Sequence, residues 1–135
     1  MTTPAAPANH LLPSGHPIHL ADLAHARSGD KGNHANIAVL AYTEEGYAFL
    51  RGFLTADRVA QFFAPLQPSK VERYEAPNVR GLNFVLYDVL DGGASRSLRS
   101  DSQGKALAVT LLQMPLTLPL HVDLERCRRK ARTGP

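Results

Sequence analysis

The sequence predicts one α+β domain, an antiparallel-rich sheet backed by helices on one face. Three observations lead there. Strand-length runs of alternating or continuous apolar residues recur along the chain. Two segments instead repeat their apolar residues at helical spacing. The connections are short and rich in Gly, Pro, Asn and Asp. A chain of 135 residues suits one domain. It hides roughly two-thirds of its unfolded surface on folding, enough for one core without staples.

Residues 1–15, with Pro4, Pro7, Pro13 and Gly15, show little periodicity and read as a disordered leader. Residues 16–23 (HPIHLADL) alternate Ile18, Leu20 and Asp22 against His19, Ala21 and Leu23, a first strand. Residues 27–33 (RSGDKGN) break the pattern with two glycines and five polar residues, and read as a loop. Residues 36–42 (NIAVLAY) are a second strand, followed by a turn at Glu44, Glu45 and Gly46. Residues 47–53 and 55–66 read as one interrupted helix or two successive ones. Thr55 is the N-cap of the second, and Asp57 complements its dipole. Val59, Phe62, Phe63 and Leu66 make its buried stripe, which Pro65 and Pro68 end.

Residues 70–76 (KVERYEA) alternate as a half-exposed strand, and residues 77–81 turn the chain. Residues 82–90 (LNFVLYDVL) are the strongest strand. A polar loop spans 91–102. Residues 103–113 form a helix with Leu107, Ala108, Leu111 and Leu112 on one face, capped by Asp101 or Ser102. Pro115 stops it, and 116–122 are the last strand. The body therefore spans 16–122, and 123–135 form a basic tail expected to be disordered. Tyr47, Phe49, Phe53, Phe62, Phe63 and Phe84 are assigned to the core.

The order is β-β-α-β-β-α-β. Without the first strand it is β-α-β-β-α-β, the ferredoxin-like split arrangement with an extra N-terminal strand. Following strand direction through this order puts 27–33 and 91–102 at the same end of the sheet. Two polar Gly-rich segments thereby become one candidate composite site.

Charge narrows the function. Residues 1–122 hold ten Lys/Arg and ten Asp/Glu; the tail holds five and two, so the whole net +3 sits there. A neutral body argues against nucleic acid as a partner, because phosphate neutralisation supplies most of that affinity. No apolar run approaches a membrane span, and the start lacks a secretory signal pattern. The single Cys127 excludes an internal disulfide and fits a reducing compartment, so a cytoplasmic location is expected. The six histidines match no zinc spacing, although His25 and His34 flank the first segment and could meet across a hairpin; neither a metal nor a cofactor is expected.

In the first segment Arg27, Asp30 and Lys31 are charged, Ser28 offers a hydroxyl and Asn33 an amide. Gly29 and Gly32 permit close backbone approach, and consecutive amides can nest an anion. The second segment holds Gly92, Gly93, Ser97, Arg99, Asp101, Gly104 and Lys105 and ends at a helix N-terminus, which suits an anion. Neither segment has the P-loop pattern. The same residues also serve as ordinary turn formers. Asn83, an amide in the most apolar strand, either bridges to a neighbour or meets a ligand. Asp88 lies in that strand too, and either orients a loop arginine or faces solvent.

The stretches HLADLAHARSGDKGNHANIAVLA and LNFVLYDVLDGGASRSLRSDSQGKALAVTLLQM resemble the C-terminal domain of the acyclic terpene utilisation (AtuA) family, which also occurs as a separate small protein. The resemblance covers roughly 17–120 and implies a ferredoxin-like domain. It implies a role in the breakdown of branched acyclic terpenoids and related acyl-CoA compounds. The family's large N-terminal domain has no counterpart in these residues, so a separately encoded large AtuA-like subunit is the expected partner. The leading expectation is a small accessory or catalytic-partner subunit. In it Arg27, Lys31, Arg99 and Lys105 hold an anionic or CoA-linked group, and Asp30 and Asp101 position it or act as acid and base. A stand-alone lyase or hydratase on an acidic or CoA-linked substrate is the second reading. A non-catalytic ligand-binding or regulatory module is the third. A homo- or hetero-oligomer is expected from the sheet surface left open.

Overall fold

A computed structural model describes residues 15–90 and 101–128, with backbone alone for 101–105. In chain order the elements are β1 (Gly15–His19), β2 (Ala24–Lys31), β3 (His34–Ala41), α1 (Glu44–Phe53), α2 (Ala56–Phe62), β4 (Lys70–Ala76), β5 (Gly81–Tyr87), α3 (Asp101–Leu112), β6 (Pro115–Pro119) and α4 (Leu124–Cys127). Of the leader expected over 1–15, residues 1–14 lie outside the described residues, and Gly15 is instead the buried first residue of β1, paired with Pro119.

The main sheet has the order β2-β3-β5-β4, antiparallel throughout. The α+β, ferredoxin-like expectation holds, with β3-α-β4-β5 as its split half. The edge beside β3 is filled differently. In the element order the last strand belongs there; instead β2 folds back on β3, and β6 pairs with β1 in a separate ribbon. A two-residue connection makes the β2–β3 pairing cheap in loop-closure entropy. β6 begins and ends with proline and lacks those two amide donors, which suits a short ribbon better than a sheet.

Several boundaries move for local reasons. Residues 16–23 are not one strand: the chain leaves β1 at His19, and Leu20–Asp22 form a 3-10 turn in which the Asp22 carboxylate accepts from the His19 N–H at 2.9 Å. Residues 27–31 are not loop but the second half of β2. Glu44, Glu45 and Gly46 are the first turn of α1, because the Thr43 hydroxyl accepts from the Gly46 N–H at 2.9 Å and caps the helix. Thr55 caps α2 as expected, accepting from the Arg58 N–H at 3.1 Å. β5 stops at Tyr87, since Asp88 takes φ 63° and cannot continue a strand. Asp101 and Ser102 lie inside α3 rather than capping it. The sequence reading puts 123–135 outside the body, yet Leu124–Cys127 form a helical turn with Cys127 fully buried.

Alternation fixes which face of the sheet is covered. Ala35, Ile37, Val39, Leu82, Phe84 and Leu86 are buried on one face of β3 and β5. They share a core with Leu50 and Leu54 around α1, Val59 of α2, and Leu107 and Leu111 of α3. Tyr47, Phe63 and Phe84 are core residues, whereas Phe49, Phe53 and Phe62 pack against it only in part. The opposite face is half-buried to exposed, with no described helix across it.

Candidate functional site

The strand assignment redistributes the first polar segment. β2 pairs Gly29 with Asn36, Arg27 with Ala38 and Lys31 with His34. Period-two alternation therefore turns Arg27, Gly29 and Lys31 to the open face, and Ser28 and Asp30 to the helix face. Ser28 follows suit: its hydroxyl accepts from the Ala108 N–H of α3 at 3.2 Å. Gly32, at φ 62°, opens the two-residue turn that Asn33 completes. A positive φ at the first central position of such a turn calls for glycine.

The hairpin tip is clasped to the end of β5. Asn33 Nδ2 donates to Asp88 Oδ1 at 2.9 Å, and the Leu90 N–H donates to the Asn33 carbonyl at 3.0 Å. The Asp88 N–H donates to His34 Nδ1 at 3.1 Å, and the Ser69 hydroxyl donates to Asp88 Oδ2. Since Nδ1 accepts that N–H, the imidazole proton sits on Nε2. The 3.8 Å approach of Nδ1 to Asp88 Oδ1 is thus no ion pair. Asp88 is neither a partner for a described arginine nor simply solvated. It organises this end of the sheet. Its left-handed backbone is one that Asp tolerates better than most residues. The tip of β2–β3 and the point where 91–100 depart do lie at one end.

The predicted site residues consequently divide. Gly92, Gly93, Ser97 and Arg99 lie outside the described residues. Asp101, Gly104 and Lys105 lie in the first half of α3, which packs on β2 from the side Ser28 and Asp30 share. Arg27, Gly29, Lys31 and Asn83 belong to the open face. Asn83 is half-buried, and no described neighbour bridges its amide. His25 and His34 do not meet: their cross-strand partners are Leu40 and Lys31, at opposite ends of the hairpin.

The open face carries groups that sequence reasoning missed. Glu72 Oε1 accepts from Tyr74 Oη at 2.6 Å and from Tyr87 Oη at 2.8 Å. Lys70 pairs with Glu72 at 3.3 Å and lies 4.6 Å from the centre of the Tyr87 ring. The Tyr74 bond first, then Tyr87 and Lys70, hold the Glu72 carboxyl down at about 2. The bond to Glu72 pushes Tyr74 up to about 12, and Tyr87 is raised by its own bond to Glu72. Glu72 is therefore a fixed anion across the neutral range, not an acid or base. The signal was available: Lys70, Glu72 and Tyr74 alternate on one face of their strand, and only the pairing with Tyr87 was hidden.

Between this cluster and β2 a cavity of about 410 Å³ opens, lined by Lys31, His34, Asn36, Asn83, Val85 and Tyr87. A larger groove of about 720 Å³ lies beside α1, but its charges are engaged: Arg126 pairs with Glu45 at 3.3 Å and Arg58 covers Phe53 at 4.0 Å. Among the described residues no three His, Cys, Asp or Glu side chains gather as metal ligands. No described helix is long and apolar enough to cross a membrane.

Neither a curated protein nor a solved structure matches the chain. Residues 18–117 match the family model of the AtuA ferredoxin-like domain, a span that includes the whole main sheet, the β2–β3 hairpin and α3. The chain belongs to the AtuA ferredoxin-like domain family.

Proposed function

We propose that this chain is a small subunit of an AtuA-like system in acyclic terpenoid or acyl-CoA catabolism. It works in the cytoplasm beside a separately encoded large AtuA-like protein, and it binds an anionic or CoA-linked group at the hairpin end of its sheet. The observation that carries the reading is the clasp through Asp88. It joins the segment bearing Arg27 and Lys31 to the start of the segment bearing Arg99 and Lys105. Among the described residues Arg27 and Lys31 have no ion-pair partner, so their charge is available to a ligand. Membership of the AtuA ferredoxin-like domain family supports the choice of metabolic setting.

The test is co-expression with the large AtuA-like protein, followed by size-exclusion chromatography and titration of an acyl-CoA. Co-elution is expected, together with acyl-CoA binding that Arg27→Ala/Lys31→Ala weakens at least tenfold. Separate elution with unchanged acyl-CoA binding by the double variant would overturn the reading. Turnover by the purified chain alone, lost in Asp30→Asn, would instead identify a lyase or hydratase.

A further inference from the structure

The open-face cavity has a composition of its own. Asn36 and Asn83 are half-buried, and neither side chain has a hydrogen-bond partner among the described residues. Two amides in that condition offer both donors and acceptors to whatever lies above them. Register sets them apart diagonally: Asn36 faces Val85, and Asn83 is two residues along β5 from it. Diagonal neighbours on one face are about 7 Å apart, so one oxygen between them can reach both.

The position beside Asn36 on β2 is Gly29, whose missing side chain leaves the amide open. A Cβ there would lie 3.5 Å from Asn36 Oδ1 and meet nothing else within 4 Å among the described residues. Lys31 follows two residues on, with no ion-pair partner among the described residues. His34 Nε2–H is available as a donor, because Nδ1 is engaged by Asp88. Val85 and the Tyr87 ring supply an apolar wall, the Tyr87 hydroxyl being committed to Glu72. A volume of about 410 Å³ suits a small molecule.

We propose that this cavity binds a small monocarboxylate that carries a hydroxyl or carbonyl oxygen beside the carboxylate. Lys31 takes the carboxylate, and the Asn36 and Asn83 amides share the neighbouring oxygen. One negative charge is preferred over two. Glu72 stands directly across from Val85 on the same face and repels a second charge. The inference shares Lys31 with the function proposed above but needs neither its partner nor its pathway.

The test uses the full chain alone, with sodium lactate and sodium phosphate as probes in an amide NMR titration. Lactate is expected to shift the amides of 29–36 and 83–87 with saturation. Phosphate at equal concentration shifts them at least tenfold more weakly. Asn83→Leu and Gly29→Val are each expected to weaken lactate binding at least tenfold. Gly29→Val adds a β-branched residue to a strand at an unstrained φ, so it keeps the fold and separates lost binding from unfolding. No saturable lactate shift, equal shifts with phosphate, or a folded Gly29→Val that binds like the parent would each overturn the proposal. Because no large subunit or acyl-CoA is present, failure here leaves the co-elution result standing, and the reverse also holds.

Discussion

Asp88 is the residue on which the hairpin end of the sheet depends, and substituting it separates two energies. One is the loss of acceptors. Asp88 receives Asn33 Nδ2 and the Ser69 hydroxyl through its carboxylate. The side chain is 49% exposed, so each bond contributes toward the low end of the usual net range, about 0.5–1 kcal/mol. The other energy is backbone strain. At φ 63° a Cβ crowds the following carbonyl, and an alanine there costs roughly 1 kcal/mol more than a residue that tolerates the left-handed region. Asp88→Ala suffers both losses and is expected to destabilise by about 2–3 kcal/mol. Asp88→Gly loses the bonds but relieves the strain, and about 1–2 kcal/mol is expected after its extra unfolded-state entropy. Asp88→Asn keeps one acceptor and the backbone tolerance, for about 0.5–1 kcal/mol.

Urea melts followed by circular dichroism give the order directly, provided the slope m is unchanged. At about 4 °C per kcal/mol, Asp88→Ala lowers Tm by about 8–12 °C. Glycine as damaging as alanine would refute the strain component. Alanine within about 0.5 kcal/mol of the parent would refute the clasp itself.

Glu72 and Tyr74 make opposite contributions to the pH profile. The Glu72 carboxyl, held at about 2, stabilises the fold above the ordinary carboxylate range, and that contribution is lost as pH falls toward 2. Tyr74, pushed up to about 12, stabilises below 10 and loses its contribution as pH rises through 12. Spectrophotometric tyrosine titration should show Tyr74 ionising near 12 and Tyr87 also late, both returning toward 10 in Glu72→Gln. Gly15→Ala would put a Cβ 2.0 Å from the Leu118 carbonyl oxygen, so calorimetry should record a loss of at least about 2 kcal/mol as the β1–β6 ribbon separates. Phe84→Ala empties a fully buried position in the central strand and should cost about 3–5 kcal/mol in chemical denaturation. The Cys127 thiol is buried and pushed up by that burial, so maleimide labelling read by mass spectrometry should be slow in buffer and accelerate steeply below the urea midpoint.

How much of the fold was legible follows from where the apolar signal is strong. β5 shows itself through Leu82, Phe84 and Leu86, three large buried residues at spacing two. The Thr55 cap is legible because a hydroxyl before a helical stripe has one obvious use. β2 is nearly silent. Its first three helix-facing positions, Ala24, Ala26 and Ser28, are small where α3 packs close, and its other face carries charge. Small residues carry little hydrophobic contrast, so Gly29 and Gly32 dominated the pattern and suggested a loop. The pairing of β6 with β1 was illegible for a different reason. Two short strands that each contain proline have no local cue naming their partner.

That silence at β2 matters for the site. A loop lets all seven residues of 27–33 converge on one ligand; a strand forbids it. Alternation assigns Arg27, Gly29 and Lys31 to one face and Ser28 and Asp30 to the other, while Gly32 and Asn33 build the turn. One segment thus serves an open-face cavity, the seat of α3 and the clasp to Asp88. Among the described residues β2 is also an edge strand, with β3 as its only neighbour in the main sheet. A group that touches both Lys31 and Asp30 must therefore pass around the outer edge of β2. A single anion is too small to do that. An extended chain, or a second protein adding a strand there, is not. Alternation thus separates Lys31, beside the cavity over Asn36 and Asn83, from Ser28 and Asp30 on the side that α3 covers.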